Sequence, residues 1–147
     1  MKDDRYSSLK LDSQLCFPLY ACSKEILRQY RPFLDELDLT YTQYAVMMAL
    51  WEAPALSVSE LGRTLFLDSG TLTPLLKKLE SKGYVRRTRS SDDERVVMIS
   101  ITQPGLDMRE KALSIPQGMR KCIKIDDSDF AALYRILHKM IDGFEQL

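Results

Sequence analysis

Apolar positions along this chain recur in steps of three and four over most of its length, and in steps of two only around residues 84–101. Leu15, Leu19, Cys22, Ile26 and Tyr30 fall on one face of a helix. Pro18 suits the first turns of that helix, and Pro32 predicts an end or a kink near Arg31. Thr40 and Gln43 form a capping box ahead of the apolar run YAVMMALW, so a second, largely buried helix starts there. Residues 52–56, with Pro54, read as a turn. Ser57 and Glu60 form another capping box and open a short helix through Thr64 or Leu65. The stretch LFLDSGTLTPLLKKLESKG puts Leu72, Leu75, Leu76 and Leu79 on one helical face, with Gly83 as its stop. Asp68, Ser69 and Thr71 can each cap it, and the pattern leaves that register open. Pro74 is harmless after a Thr71 cap and costs a hydrogen bond after an Asp68 cap.

YVRR and RVVMISI then read as two short strands around the polar tip TRSSDDE, with Val97, Ile99 and Ile101 sharing a face. Thr102, Pro104 and Gly105 restart a helix, which Pro116 and Gly118 interrupt. Phe130, Leu133, Leu137, Met140 and Phe144 repeat at 3-4-3-4 spacing, the seam of a helix packed against another. A two-stranded ribbon is marginal alone and needs a helix to lean on. The order predicts a mainly α (α+β) fold. A winged helix-turn-helix lobe at 40–102 is flanked by long helices at 10–36 and 103–147, all within one domain spanning 1–147. One such module reads few base pairs, whereas two can read half-sites a helical turn apart. The flanking helices, surplus to a small winged core, therefore predict a symmetric homodimer; padding of the monomer's own core is the competing reading.

At 147 residues the chain can build a core without staples, and 45% hydrophobic with 29% charged residues is ordinary for a globular protein. Its formal net charge of zero argues for no partner. Met1 to Lys10 contains no signal-peptide core and no apolar run is long enough to span a bilayer, which predicts a cytoplasmic protein without a membrane partner. In a reducing cytosol Cys16, Cys22 and Cys122 start as thiols, and an odd count rules out complete pairing within one monomer. With one histidine, His138, and no CxxC pair, neither a metal site nor a cofactor is expected. His138 is read as a residue of the exposed or partly packed face of the last helix.

The distribution of charge changes this picture. Residues 71–95 hold seven basic side chains against four acidic ones in a neutral protein, and the excess coincides with the predicted second helix of the motif and its hairpin. Ser69, Thr71 and Thr73 lie near a helix N-terminus, where backbone N–H groups favour phosphate. Lys77 and Lys78 extend from the same helix, and Arg87 belongs to the basic strand beyond it. Arg95, just after the acidic tip, is long enough to enter a minor groove, and Asp93 can set its direction. Double-stranded palindromic DNA is the partner this predicts; a merely solvated surface is the bland alternative.

Residues 67–102, LDSGTLTPLLKKLESKGYVRRTRSSDDERVVMISIT, resemble the recognition helix and wing of the MarR family of dimeric winged-helix regulators. QLCFPLY at 14–20 and LTYTQY at 39–44 are similar to segments of its organic-hydroperoxide-sensing branch. The resemblance implies a repressor in which Cys16 is the peroxidatic sensor. It also implies that Tyr30 and Tyr41 hydrogen-bond that cysteine, and that Cys122 sits near the position of the other subunit's resolving thiol. Ser69, Thr71, Lys77 and Arg95 would then lie at or near DNA. Thr42 stands where many relatives have proline, and Cys22 is an additional thiol.

The thiolate is the form that attacks peroxide, and hydroxyl donors favour charge on sulfur. Attack yields a sulfenic acid, which condenses with a thiol or is overoxidised. Apolar Leu15, Phe17 and Leu19 suit an alkyl or fatty-acyl hydroperoxide as effector better than hydrogen peroxide. Six residues of helix separate Cα atoms by about 9 Å along the axis, whereas a disulfide needs roughly 7 Å, so Cys16–Cys22 is disfavoured and Cys122 of the other subunit is the expected partner. Cysteines that are simply small buried hydrophobes are the bland reading. The competing functions are a regulator of the same architecture that senses a small phenolic or quinone-like ligand, a thiol peroxidase that never binds DNA, and a helical interaction module.

Overall fold

In the computed structural model residues 4–145 are described. Two short 3-10 segments, Asp4–Leu9 and Leu11–Ser13, lead into helix α1 (Cys16–Asp35). The winged lobe comes next as α2 (Tyr41–Glu52), β1 (Ala55–Ser57), α3 (Val58–Leu65), α4 (Ser69–Ser81), β2 (Val85–Arg89) and β3 (Val97–Ile101). Then come α5 (Gln103–Ala112), α6 (Ile115–Cys122) and α7 (Asp127–Glu145). Both expected capping boxes form: Thr40 with Gln43, and Ser57 with Glu60. Gly83, at φ 79°, ends α4 with the paired bonds Tyr84 N–H to Leu79 O and Gly83 N–H to Glu80 O.

Three expectations are corrected, and one open register is resolved. Ala55 and Leu56, expected in a turn, form with Ser57 a strand that pairs with β3 (Leu56 opposite Ile99), so the sheet is three-stranded in the order β1-β3-β2. The strand satisfies an edge of β3 that a two-stranded ribbon would leave open. Pro32 does not end α1, which runs on to Asp35; the proline is exposed and forfeits one intrahelical bond on the solvent side. The break after α5 falls at Leu113 and Ser114 rather than at the later residues. Pro116 fits the first turn of α6, and Gly118 lies inside that helix, where an added Cβ would sit 2.5 Å from Phe33 Cε1. The open register of α4 resolves to Asp68 as cap, which puts Pro74 at the sixth helical position and costs a bond to Gly70 O.

The core explains which helices belong to the lobe. Met47, Leu50, Leu61, Leu72, Leu76, Leu79 and Ile99 are fully buried, and Leu34, Met108, Ile115 and Met119 extend the cluster to the end of α1 and to α5 and α6. No residue of α7 enters it among the described residues. Leu133, Tyr134, Ile136, Ile141 and Phe144 on α7 and Phe17, Tyr20 and Leu27 on α1 are exposed instead. Helix α7 and the N-terminal part of α1 therefore do not pad the core of a single chain, whereas the end of α1, α5 and α6 do.

Candidate nucleic-acid interface and thiol site

Helix α4 presents two faces. Its leucines point into the core, and Ser69, Thr73 and Lys77, each four residues apart, form one exposed stripe. The Asp68 carboxylate accepts from Thr71 N–H at 2.8 Å and from Thr71 Oγ1 at 3.0 Å, which holds its pKa below the ordinary range and fixes the helix start. Thr73 Oγ1 donates to Ser69 O at 2.8 Å. Thr71 and Lys78 are exposed beside the stripe.

The wing is folded by local bonds. Arg89 Nη1 donates to Glu94 O at 2.9 Å, and Arg95 N–H donates to Asp93 Oδ1 at 2.9 Å. The Arg95 side chain is 93% exposed, with Nε 3.4 Å from Asp93 Oδ1, so the carboxylate aims the guanidinium and adds little stability. Arg87 behaves differently from the expectation of a free basic residue. Its backbone N–H and Nε both bond Glu80, at 2.9 and 2.8 Å, and tie β2 to α4. Those bonds from Arg87 also lower the Glu80 pKa. Sequence reasoning gave Glu80 no role, because its partner lies across a helix-to-strand boundary without a fixed spacing. It also missed Phe66, which holds a left-handed conformation at φ 54° between α3 and α4. Between α3, α4 and the wing lies an open cleft of ≈ 810 Å³, walled by Val58, Phe66 and Val97 and rimmed by Arg63, Arg87 and Arg95.

Cys16 is exposed at the first position of α1, beside the free N–H groups of the first turn. Tyr30 lies on the same unbroken helix, fourteen residues on, or about 21 Å along the axis. There it packs against Tyr41, with ring centres 4.9 Å apart, and against Tyr44 at 6.1 Å. Burial, with Tyr41 and Tyr44 beside it, pushes the Tyr30 hydroxyl up to about 12, which keeps it a neutral donor. A single chain therefore does not bring Cys16 to Tyr30 and Tyr41. Cys122 is half-buried at the end of α6, one turn beyond the Gly118–Phe33 contact, and Phe33 is about 25 Å along α1 from Cys16. Cys22 is exposed on α1. His138 is exposed on α7, stacked on Tyr134 with ring centres 4.0 Å apart. No cluster able to hold a metal occurs among the described residues, and none of the described helices is long and apolar enough to cross a membrane.

A helix-turn-helix with a three-stranded wing and long unpartnered terminal helices defines the winged-helix class of transcriptional regulators. The family described as Transcriptional regulator SarA/Rot matches residues 28–111. The chain is 42% identical over 144 residues, 98% of each protein, to the Organic hydroperoxide resistance transcriptional regulator of Bacillus subtilis (strain 168). It is 29% identical to a structure described as reduced AbfR bound to DNA, with a TM-score of 0.79 over 99% of this chain and 98% of that one. It is 32% identical to a structure of disulfide-formed AbfR, with a TM-score of 0.64 over 96% and 99% of the two chains. AbfR is a protein of Staphylococcus epidermidis. The chain belongs to the MarR family of winged-helix transcriptional regulators, in its redox-sensing branch.

Proposed function

We infer that this chain forms a homodimeric repressor that holds palindromic operator DNA while Cys16 is reduced and releases it when an organic hydroperoxide oxidises that thiol. The likeness to the Bacillus subtilis regulator carries the reading, because it extends through the N-terminal segment that holds Cys16. The exposed thiol at the start of α1 and its apolar neighbours Leu15 and Phe17 support it. The separation of Cys16 from Tyr30 supports a dimer, since the hydroxyls of Tyr30 and Tyr41 would have to come to the sulfur from a second copy. The exposed apolar residues of α1 and α7 offer the surface such a copy would cover. In each half-site the Ser69–Thr73–Lys77 stripe would enter the major groove, with Thr71 and Lys78 beside it, and Arg95 the adjacent minor groove. Arg87 would act through the wing it braces. In this domain plan 40–102 reads DNA, and 10–36 with 103–147 joins the copies.

In the chemistry, the Cys16 thiolate attacks one peroxide oxygen, the O–O bond breaks, and the alcohol leaves with a proton. The thiol of Cys122 from the partner subunit then attacks the sulfenic sulfur, and water leaves as the disulfide forms. Moving α1 against α6 and α7 would change the spacing of the two α4 helices and forfeit several DNA contacts together. Gel-shift titration on the protein's own upstream region tests this, reduced and with an alkyl hydroperoxide. Wild type is expected to release DNA, Cys122→Ser to respond less reversibly, and Cys16→Ser to stay bound. Release by Cys16→Ser at the wild-type dose refutes the sensing role.

The cleft beside α4 favours a second reading, a regulator that answers a small phenolic or quinone-like ligand. Release of DNA from Cys16→Ser protein by such a compound, with no response to hydroperoxide, would select it.

A further inference from the structure

Cys122 is the last residue of α6, and a single side chain, Arg120, holds the loop beyond it. Arg120 Nη1 donates to Ile123 O at 3.0 Å. Its Nη2 donates to Ile125 O at 3.2 Å and to the Asp127 carboxylate at 2.5 Å. The guanidinium lies 4.6 Å from the centre of the Phe130 ring. Asp127 is the first residue of α7, and Asp126 caps that helix by accepting from Asp129 N–H at 2.8 Å. Arg120 thereby closes residues 123–126, the loop directly after Cys122, between the ends of two helices. A planar guanidinium can serve several acceptors at once and stack on an aromatic face; an ammonium cannot do both in this arrangement. The Asp127 side chain is 100% exposed and that of Arg120 only 32%, so the carbonyl bonds and the ring contact hold the loop more than the ion pair does.

A disulfide needs its two Cα atoms within about 7 Å. Movement of the end of α6 toward Cys16 of the partner subunit would draw the carbonyls of Ile123 and Ile125 away from Arg120. We propose that Arg120 is a positioning residue for the resolving thiol: its clamp restrains Cys122 in the reduced protein and sets how fast the Cys16 sulfenic acid becomes a disulfide. The inference rests on the Cys16–Cys122 reading above. It makes the clamp a divider between two fates of one intermediate, the reversible disulfide and irreversible overoxidation.

The test tracks two steps separately in the full-length protein after a stoichiometric dose of cumene hydroperoxide. Dimedone labelling reads sulfenic acid formation, and non-reducing electrophoresis with peptide mapping reads the disulfide. Arg120→Ala is expected to leave the first rate at the wild-type value and to speed the second roughly tenfold, equivalent to about 1.4 kcal/mol of barrier. Asp127→Asn removes only the exposed ion pair and is expected to speed disulfide formation by no more than about threefold, and it serves if Arg120→Ala folds poorly. Arg120→Lys is expected to behave like the alanine variant. A disulfide rate unchanged or slower in both Arg120 variants, with normal labelling, overturns the clamp and leaves the sensing reading intact. Labelling of Cys16 without any Cys16–Cys122 disulfide in wild type overturns the resolving role and the clamp together.

Discussion

Gly105 sits where the wing meets α5, and replacing it with alanine probes that joint. An added Cβ would overlap the carbonyl oxygen of Tyr84 and lie 2.8 Å from Ile101 Cγ1, where carbon pairs rest at about 3.5 Å or more. The first obstacle is backbone, held by the bond from Thr102 N–H at 3.1 Å, so relief requires the start of α5 to move. That movement stretches the bond from Trp51 Nε1 to Gly105 O, now 2.9 Å, or the cap from Gly105 N–H to Thr102 Oγ1, now 3.2 Å. Overpacking costs about 1–3 kcal/mol, and losing one such bond about another 1 kcal/mol. Alanine returns up to roughly 1 kcal/mol through its helix propensity. The net expectation is a loss of about 1–4 kcal/mol, or about 3–15 °C in Tm for a chain of this size. Urea and thermal unfolding followed by fluorescence of the single tryptophan, Trp51, report on this joint, with protomer concentration held constant. Gly118→Ala is the control, because its Cβ would meet only the edge of the Phe33 ring, which can turn. That variant is expected to stay within about 1 kcal/mol of wild type. A Gly105→Ala protein less than about 0.5 kcal/mol below wild type would refute the claim that backbone contact at the wing base fixes α5.

Three other outcomes are expected from local geometry and charge. Hydrogen bonds from Ser57, Thr71 and Arg87 lower the pKa values of Glu60, Asp68 and Glu80 respectively. The stability they confer is present above the ordinary carboxylate range and is lost as pH falls through their folded-state values. The urea midpoint should therefore drop between about pH 5 and about pH 3, and Glu80→Gln should flatten that slope. Tyr30 has the opposite sense: its folded-state value near 12 lies above the ordinary 10.0, so stability falls as pH rises through that window, and Tyr30→Phe should reduce the alkaline loss. Phe66 is 58% exposed and left-handed at φ 54°. Phe66→Asn should raise stability by about 0.5–1 kcal/mol in urea titration, with any loss of operator affinity read separately by gel shift.

The helices of the lobe were legible because each is written in local terms. Thr40 with Gln43, Ser57 with Glu60, and Gly83 as a stop are rules spanning a few residues, and they appear at the expected places. What was not legible depends on partners distant in sequence. Three residues around Leu56 carry no alternation long enough to announce a strand, and become one only because β3 offers an edge. Asp68 and Thr71 are both good caps, and the folded helix uses the Asp68 carboxylate, which accepts from Thr71 N–H. Arg87 looked like a neighbour of the other wing arginines until Glu80 claimed it across the α4–β2 boundary.

The same distinction governs the thiol site. Cys16, Tyr30 and Tyr41 form one group in the sequence, yet helix rise separates the first two by about 21 Å, and α1 is unbroken between them. No rotamer can close that gap. The tyrosines remain packed together at the far end of α1, and Trp51, against Tyr44 at 6.0 Å, carries that cluster to Gly105. A second copy docking its own α1 N-terminus near the tyrosines would therefore place a reactive sulfur at one end of a continuous packed route and the wing base at the other. Oxidation would then act where a small displacement is transmitted as altered packing rather than absorbed by solvent. In such an arrangement sensing and DNA reading are properties of the pair, while each chain alone holds only half of the sensor.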